Sequence, residues 1–178
     1  MYNKVGSNCY DVKNLKEVYE RSRDRDDIHW TVLMSQPPVK DFPEETPRWK
    51  YLVIGPKKFW TQWALPIHLF KNRYNLLYTP GHYAPRFSPV PYISTVMDLA
   101  YIEFPEQFNG MDAFQLKHWT KYSVDHAQKV ITISKFSKQE IIKHYDKKPQ
   151  NVEVAYPSFS LADKYSKLRW KSFVKKNK

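Results

Sequence analysis

The stretch YISTVMDLAYIEFPEQF, residues 92–108, changes character at its centre. Its first five residues, Tyr92 to Val96, are mostly apolar or β-branched, which predicts a strand covered on both faces. The run stops at the carboxylate of Asp98 and continues through a proline and a glutamate. A charge directly after a buried strand marks the point at which the chain leaves the sheet and meets solvent.

Similar short apolar runs recur on both sides of this stretch and alternate with segments of helical spacing. Strands are predicted at residues 29–34, 51–54, 76–78, 130–133 and 152–155, and helices around residues 12–19, 59–70, 112–127 and 137–145. This alternation favours a parallel sheet with helices on both faces, a doubly wound, Rossmann-like α/β domain. Ligands of such domains bind beyond the carboxyl ends of the strands, where Asp98 is predicted to lie.

Two of the helices carry additional signals. In the second helix, Phe59, Trp63, Ile67 and Phe70 follow helical spacing and are read as core positions, with a kink or restart at Pro66. The last helix is predicted to open with a capping box that begins at Ser137 and ends at a glutamate three residues later.

Composition and charge limit the class of protein. The 178 residues, 42% of them hydrophobic, suit one domain with its own core. No apolar run approaches the ~20 residues that span a bilayer, no signal peptide is evident, and the single cysteine excludes an internal disulfide. These features predict a cytoplasmic protein, either free or peripheral at the inner membrane face. The net charge of +11 favours an anionic partner such as nucleic acid, acidic lipid or a phosphorylated substrate.

Three stretches together resemble one family. They are FWTQWALP at residues 59–66, LLYTPGHYAPRFSPVPYISTVMDLAYIEFPEQF at residues 76–108, and AQKVITISKFSKQEIIKHY…NVEVAYP at residues 127–157. Their order and spacing resemble the N-terminal domain of the family-four glycosyltransferases, retaining enzymes of the two-domain GT-B architecture. The resemblance predicts an acceptor-type domain over residues 1–160, followed by a basic tail over residues 161–178.

The resemblance implies a division of labour. The N-terminal domain would bind the acceptor, a glycan, a lipid-linked sugar or a small glycoside. The C-terminal domain of such enzymes holds the nucleotide-sugar donor and a pair of glutamates, and a hexosyl group, often mannosyl, is transferred with retention and without a metal ion. This chain is therefore expected to carry no cofactor and no catalytic residue, because the donor would bind a C-terminal domain that the chain lacks.

Five residues are predicted to contact an acceptor by this resemblance. Gly6 matches the family's glycine-rich turn, although an ordinary turn fits it equally. Met97 stands where many members carry a histidine in a His-Asp-Leu triplet, and methionine cannot transfer a proton. Asp98 keeps the acidic position and could bind sugar hydroxyls or cap the following loop. Ser134 matches a serine at the interdomain cleft or caps a helix or turn, and His82 could touch the acceptor or be a solvent-exposed loop residue.

The sequence also departs from the family. Only MYNKV precedes Gly6, where the family has an apolar central strand. MYNKV could supply a short version of this strand, and its loss would split the sheet and expose strand edges. No donor domain follows, so the chain is expected to act as a fragment or with a separately encoded donor domain.

The basic tail and the net charge leave an alternative function open. Between Lys164 and Lys178 there are seven basic residues and no acidic one, which predicts a disordered end able to contact an acidic membrane. The alternative is a non-catalytic basic module that binds nucleic acid or an acidic membrane surface. Nucleic acid is disfavoured because the aromatic residues occupy predicted core positions.

Overall fold

The protein is described by a computed structural model that covers residues 7–38, 40 and 42–157. Gly6, the MYNKV segment and the basic tail lie outside the described residues. The helices are α1 Ser7–Ser22, α2 Leu65–Lys71, α3 Ala100–Glu103, α4 Gly110–His126 and α5 Lys135–Tyr145, and the strands are β1 Trp30–Met34, β2 Trp49–Val53, β3 Leu77–Thr79, β4 Tyr92–Thr95, β5 Lys129–Thr132 and β6 Val152–Val154.

The strands form two parallel sheets. One contains β1 and β2, in which Val32 pairs with Tyr51, and the other has the order β3-β4-β5-β6, in which Ser94 pairs with Val130. The predicted parallel α/β class is confirmed, and each predicted strand is found within about two residues of its predicted bounds. Among the described residues no strand joins β1 to β3, and the MYNKV segment, which could supply such a strand, lies outside them.

The main core lies between the four-stranded sheet and the helices α4 and α5. Five aliphatic side chains at its centre are completely shielded from solvent: Val96, Val124, Val130, Ile141 and Val152. On α4, the small side chains of Thr120 and Ser123 are also fully buried. The Ser123 hydroxyl accepts a hydrogen bond from the backbone N–H of Ala84 at 2.8 Å, which fastens the β3–β4 loop to α4.

The start of α5 differs from the prediction. The helix begins at Lys135 and its N-cap is Ser134, whose Oγ accepts the backbone N–H of Ser137 at 3.0 Å. The predicted capping box at Ser137 is therefore wrong. Ser134 follows β5 in an extended conformation (φ −152°, ψ 160°), which is the usual backbone of an N-cap. Its side chain therefore caps the helix three residues before Ser137.

The segment before α2 also differs. Residues Trp60–Ala64 form a π-helical turn and the α-helix begins at Leu65, so the predicted restart near Pro66 is confirmed. The prediction that Phe59, Trp63, Ile67 and Phe70 lie in the core is wrong. These residues are exposed, and Leu65 and Leu69 are buried instead. Helical spacing groups the four residues on one side of the segment but does not say which side meets the core, and here the opposite side is buried. The exposed fractions of the predicted core residues are 61% for Phe59, 64% for Trp63, 48% for Ile67 and 68% for Phe70.

Candidate functional site

The carboxyl edge of the four-stranded sheet gathers the predicted site residues. His82 follows β3, Met97 and Asp98 follow β4, and Ser134 follows β5. These strands are parallel and adjacent, so the loops that leave their carboxyl ends share one edge. Four of the five predicted residues therefore lie on one side of the sheet, and the fifth, Gly6, lies outside the described residues.

Met97 is a packed side chain beneath this edge. It is 9% exposed, and its backbone carbonyl accepts a hydrogen bond from Thr132 Oγ1 at 3.4 Å. The residue thus links the end of β4 to the end of β5 through its backbone. Its thioether offers neither a proton nor a strong hydrogen bond at this position.

Asp98 is exposed at the same edge. Its Oδ1 accepts a hydrogen bond from the backbone N–H of Ala100 at 3.0 Å, at the first residue of α3. The loop-capping alternative is therefore confirmed. A carboxylate has about four lone-pair positions, so one bond to the backbone leaves capacity for sugar hydroxyls.

His82 is half-buried beside Asp98 rather than a freely exposed loop residue. Its ring meets the ring of Tyr101 edge-on, with 6.1 Å between centroids. Burial lowers the pKa of His82, and the negative charge of Asp98 partly opposes this effect. Its buried Nδ1 has no hydrogen-bond partner among the described residues.

Ser134 has a structural role that explains its position. Besides capping α5 it donates its hydroxyl to Ser137 Oγ at 2.9 Å. The capping alternative is confirmed here as well. Contact of Ser134 with an acceptor stays a prediction, as it does for the other residues of this edge.

A groove that the sequence did not reveal lies between the π-helical turn, the β3–β4 loop and α4, with a volume of about 770 Å³. Aromatic rings form its walls, and Arg86, Lys121 and Asp125 add charge. The lining comes from three separate segments, so no local motif could have predicted it. The aromatic wall residues are Trp63, Phe87, Phe114, Trp119 and Tyr122.

Side-chain contacts fix the shape of this groove. Gln62 accepts the backbone N–H of Arg86 at 2.9 Å and donates to the carbonyl of Ala84 at 3.4 Å, which ties the loop to the π-helical turn. The Arg86 guanidinium lies 5.2 Å from the centre of the Tyr122 ring. Apolar walls with a few placed polar groups are the usual composition of a small-molecule site.

One cluster of metal-binding residue types joins α3 to α5. His144 Nε2 lies 3.0 Å from a carboxylate oxygen of Glu103 and 3.1 Å from one of Glu140. Lys143 Nζ lies 3.6 Å from the same Glu140 oxygen and supplies positive charge to the cluster. These residues form a hydrogen-bonded polar cluster that joins α3 to α5.

Comparison with known proteins identifies the family. The sequence profile described as Glycosyltransferase Family 4 matches residues 23–162, which is more than three quarters of the chain. No curated protein gives a significant match. The matched range includes both sheets and the whole carboxyl edge with His82, Asp98 and Ser134. The chain therefore belongs to glycosyltransferase family 4, as an α/β domain of the GT-B N-terminal type.

Proposed function

We propose that this chain supplies the acceptor side of a retaining hexosyltransferase that uses a nucleotide sugar. The acceptor is a glycan or a lipid-linked sugar, and the transferred group is a hexose of the mannose type. The observation that carries the proposal is that a half-buried His82 and an exposed Asp98 follow adjacent parallel strands and so lie at the same carboxyl edge of the sheet.

The chemistry of the two side chains suits a sugar. A sugar hydroxyl is both a donor and an acceptor of hydrogen bonds, so one hydroxyl can donate to the Asp98 carboxylate while a neighbouring one meets the imidazole. Half-buried polar groups bind more specifically than fully solvated ones, because fewer water contacts compete with the ligand. No proton transfer is assigned to Met97, which lies directly before Asp98.

The donor side belongs to a second domain in this proposal. The nucleotide sugar binds that domain, which is either joined to this chain or encoded separately. The domain described here orients the acceptor hydroxyl toward the donor, and this positioning is its contribution to the rate.

The test is a titration of the ¹⁵N-labelled protein with a set of mannosides and other hexosides, followed by NMR. Perturbed amides are expected in the loops after β3, β4 and β5, and Asp98→Asn should weaken binding by about tenfold, because a charged acceptor bond is lost. Asp146→Asn is the matched control, since Asp146 is exposed and its left-handed backbone (φ 52°) suits asparagine.

Two results would contradict the proposal. Equal affinity of Asp98→Asn and wild type for the glycosides would remove the carboxylate from acceptor binding. Transfer of sugar from a nucleotide sugar by this chain alone would place the donor site here, so the purified chain is also assayed with and without a donor domain.

A further inference from the structure

The four exposed side chains Phe59, Trp63, Ile67 and Phe70 form what we term the apolar stripe. They are spaced by four, four and three residues from Phe59, the N-cap of the π-helical turn, through α2, which is the spacing of side chains on one side of a helix. Each is about half exposed or more. Large apolar side chains grouped on one surface, rather than scattered, mark a contact site.

The stripe is held outward by the rest of the fold. On the other side of the same segment, Ala64, Leu65 and Leu69 are buried. Trp60 donates its indole N–H to the carbonyl of Ile54 at 3.0 Å, which anchors the start of the segment to the end of β2. The apolar stripe therefore cannot turn inward without exposing these buried groups.

Basic residues flank the stripe at both ends. Lys57 and Lys58 precede it and Lys71 and Arg73 follow it, and all four are exposed. The surrounding chain is strongly polarised in charge, because residues 46–97 contain seven Lys and Arg residues and no Asp or Glu. A surface of this kind attracts a partner that is both anionic and apolar.

We propose that residues 57–73 dock the protein onto the surface of a bilayer that contains anionic phospholipid. The aromatic and aliphatic side chains enter the boundary between headgroups and acyl chains, and the four flanking Lys and Arg side chains contact lipid phosphates. The contact is peripheral, since no helix in the described part of the chain is long and apolar enough to cross a membrane.

The charge pattern disfavours other occupants. A second copy of the chain would bring two basic surfaces together, which is repulsive. Proteins bind single-stranded nucleic acid with aromatic rings that alternate with basic side chains along a groove. Here the basic side chains lie only at the two ends of the stripe, and Ile67 lies between the rings. An anionic membrane matches both the apolar centre and the basic ends.

The surface and the groove meet at Trp63, which belongs to the apolar stripe and lines the groove. On the proposed function, a lipid-linked acceptor would then reach the groove from the same membrane. This last step rests on the proposed function, whereas the docking surface does not, and the experiment below measures membrane binding without any sugar transfer.

The test is co-sedimentation of the full chain with phosphatidylcholine vesicles that contain about one third phosphatidylglycerol. Wild type is expected to bind, and added salt should weaken binding. Ile67→Gln with Phe70→Gln should reduce the partition coefficient at least about tenfold, because two apolar side chains no longer enter the lipid. The matched control is Met111→Gln with Phe136→Gln, which removes two apolar residues outside the stripe that are at least as exposed as Ile67 and Phe70.

A charge variant tests the same face without touching the stripe. Replacing Lys57, Lys58, Lys71 and Arg73 by Gln should also lower binding at least about tenfold. Its control replaces four exposed lysines elsewhere by Gln, namely Lys16, Lys117, Lys135 and Lys148, with the same loss of net charge. This comparison also accounts for the basic tail, which is identical in both variants.

Insertion is measured separately by tryptophan fluorescence. Lipids brominated in their acyl chains should quench wild type more strongly than the Trp63→Phe variant. The proposal is overturned if wild type does not bind anionic vesicles, if the stripe variant and its control bind equally, or if the chain instead binds an RNA strand with a steep salt dependence.

Discussion

The carboxylate of Asp98 and the backbone N–H of Ala100 are joined by a hydrogen bond of 3.0 Å, so one side chain both faces the carboxyl edge and begins α3. Replacing Asp98 by Ala should lower the free energy of unfolding by about 1 kcal/mol, the usual net contribution of one hydrogen bond. Asp98→Asn keeps the accepting oxygen and should remain close to wild type in urea unfolding. A loss of equal size in both variants would show that the charge, and not the cap, stabilises this loop.

His82 should make stability depend on pH. Burial lowers the pKa of His82 in the folded protein below the value near 6.5 of the unfolded chain. As the pH falls below about 6.5, the unfolded chain binds a proton that the folded protein resists, so the free energy of unfolding falls until the pH reaches the folded pKa. Above about pH 7 this contribution is fully present. Urea unfolding of wild type and of His82→Gln, each measured above about pH 7 and below about pH 6.5, gives the contribution of His82 to the pH dependence of stability.

The comparison isolates His82 from the other histidines. Burial also lowers the pKa of His68, and that residue is unchanged in both proteins. Because the charge of Asp98 raises the pKa of His82, Asp98→Asn should lower this pKa further and extend the loss of stability to lower pH. Identical pH profiles of His82→Gln and wild type would contradict the assignment.

The hydroxyls of Tyr101 and Tyr145 lie 2.9 Å apart in the core and connect α3 to α5. Tyr145→Phe should cost about 1–3 kcal/mol, because the buried Tyr101 hydroxyl loses a partner. Replacing both tyrosines by Phe should cost less than the sum of the single changes. A double-mutant cycle from urea unfolding gives the coupling, and additive costs would show that the two hydroxyls do not interact in solution.

Ser134 should be the residue that starts α5. Ser134→Ala is expected to lower the free energy of unfolding by about 1 kcal/mol, because the N–H of Ser137 loses its partner. Ser134→Asp should restore most of this loss, since aspartate caps well and its charge suits a helix N-terminus. If Ser134→Ala were neutral, the cap would contribute nothing to stability.

The strands could be predicted because their apolar and β-branched runs are local signals. The run from Tyr92 to Val96 and the run before Ser134 form strands β4 and β5, as predicted. Because the strands are predicted to be parallel, the residues that follow them are predicted at one edge of the sheet, which brings His82, Asp98 and Ser134 to the same side. The half-burial of His82 did not follow, because it depends on Tyr101, which belongs to a different segment.

Other features were beyond the sequence for physical reasons. Helical spacing groups residues on one face of a segment but does not tell whether that face or the opposite one is buried, so Trp63 and Phe70 are predicted in the core although both are exposed. The capping box at Ser137 is a wrong prediction because two serines three residues apart both fit a helix start, and only the extended backbone of Ser134 decides between them. The groove depends on three segments that meet only in the folded chain.

In the part of the chain that the structure describes, β1 and β2 form a sheet separate from the four-stranded one, and this separation has a consequence for the order in which the domain opens. A parallel pair of five-residue strands is not stable by itself, and Leu52 and Val53 of β2 are 39% and 48% exposed. The strands β4 and β5 are instead paired on both sides and lie against the core. Amides of β1 and β2 should therefore exchange with deuterium through a partial opening, while those of β4 and β5 exchange only on global unfolding. The domain would thus behave as two cooperative units of unequal stability, with the carboxyl edge of the candidate site on the more stable one.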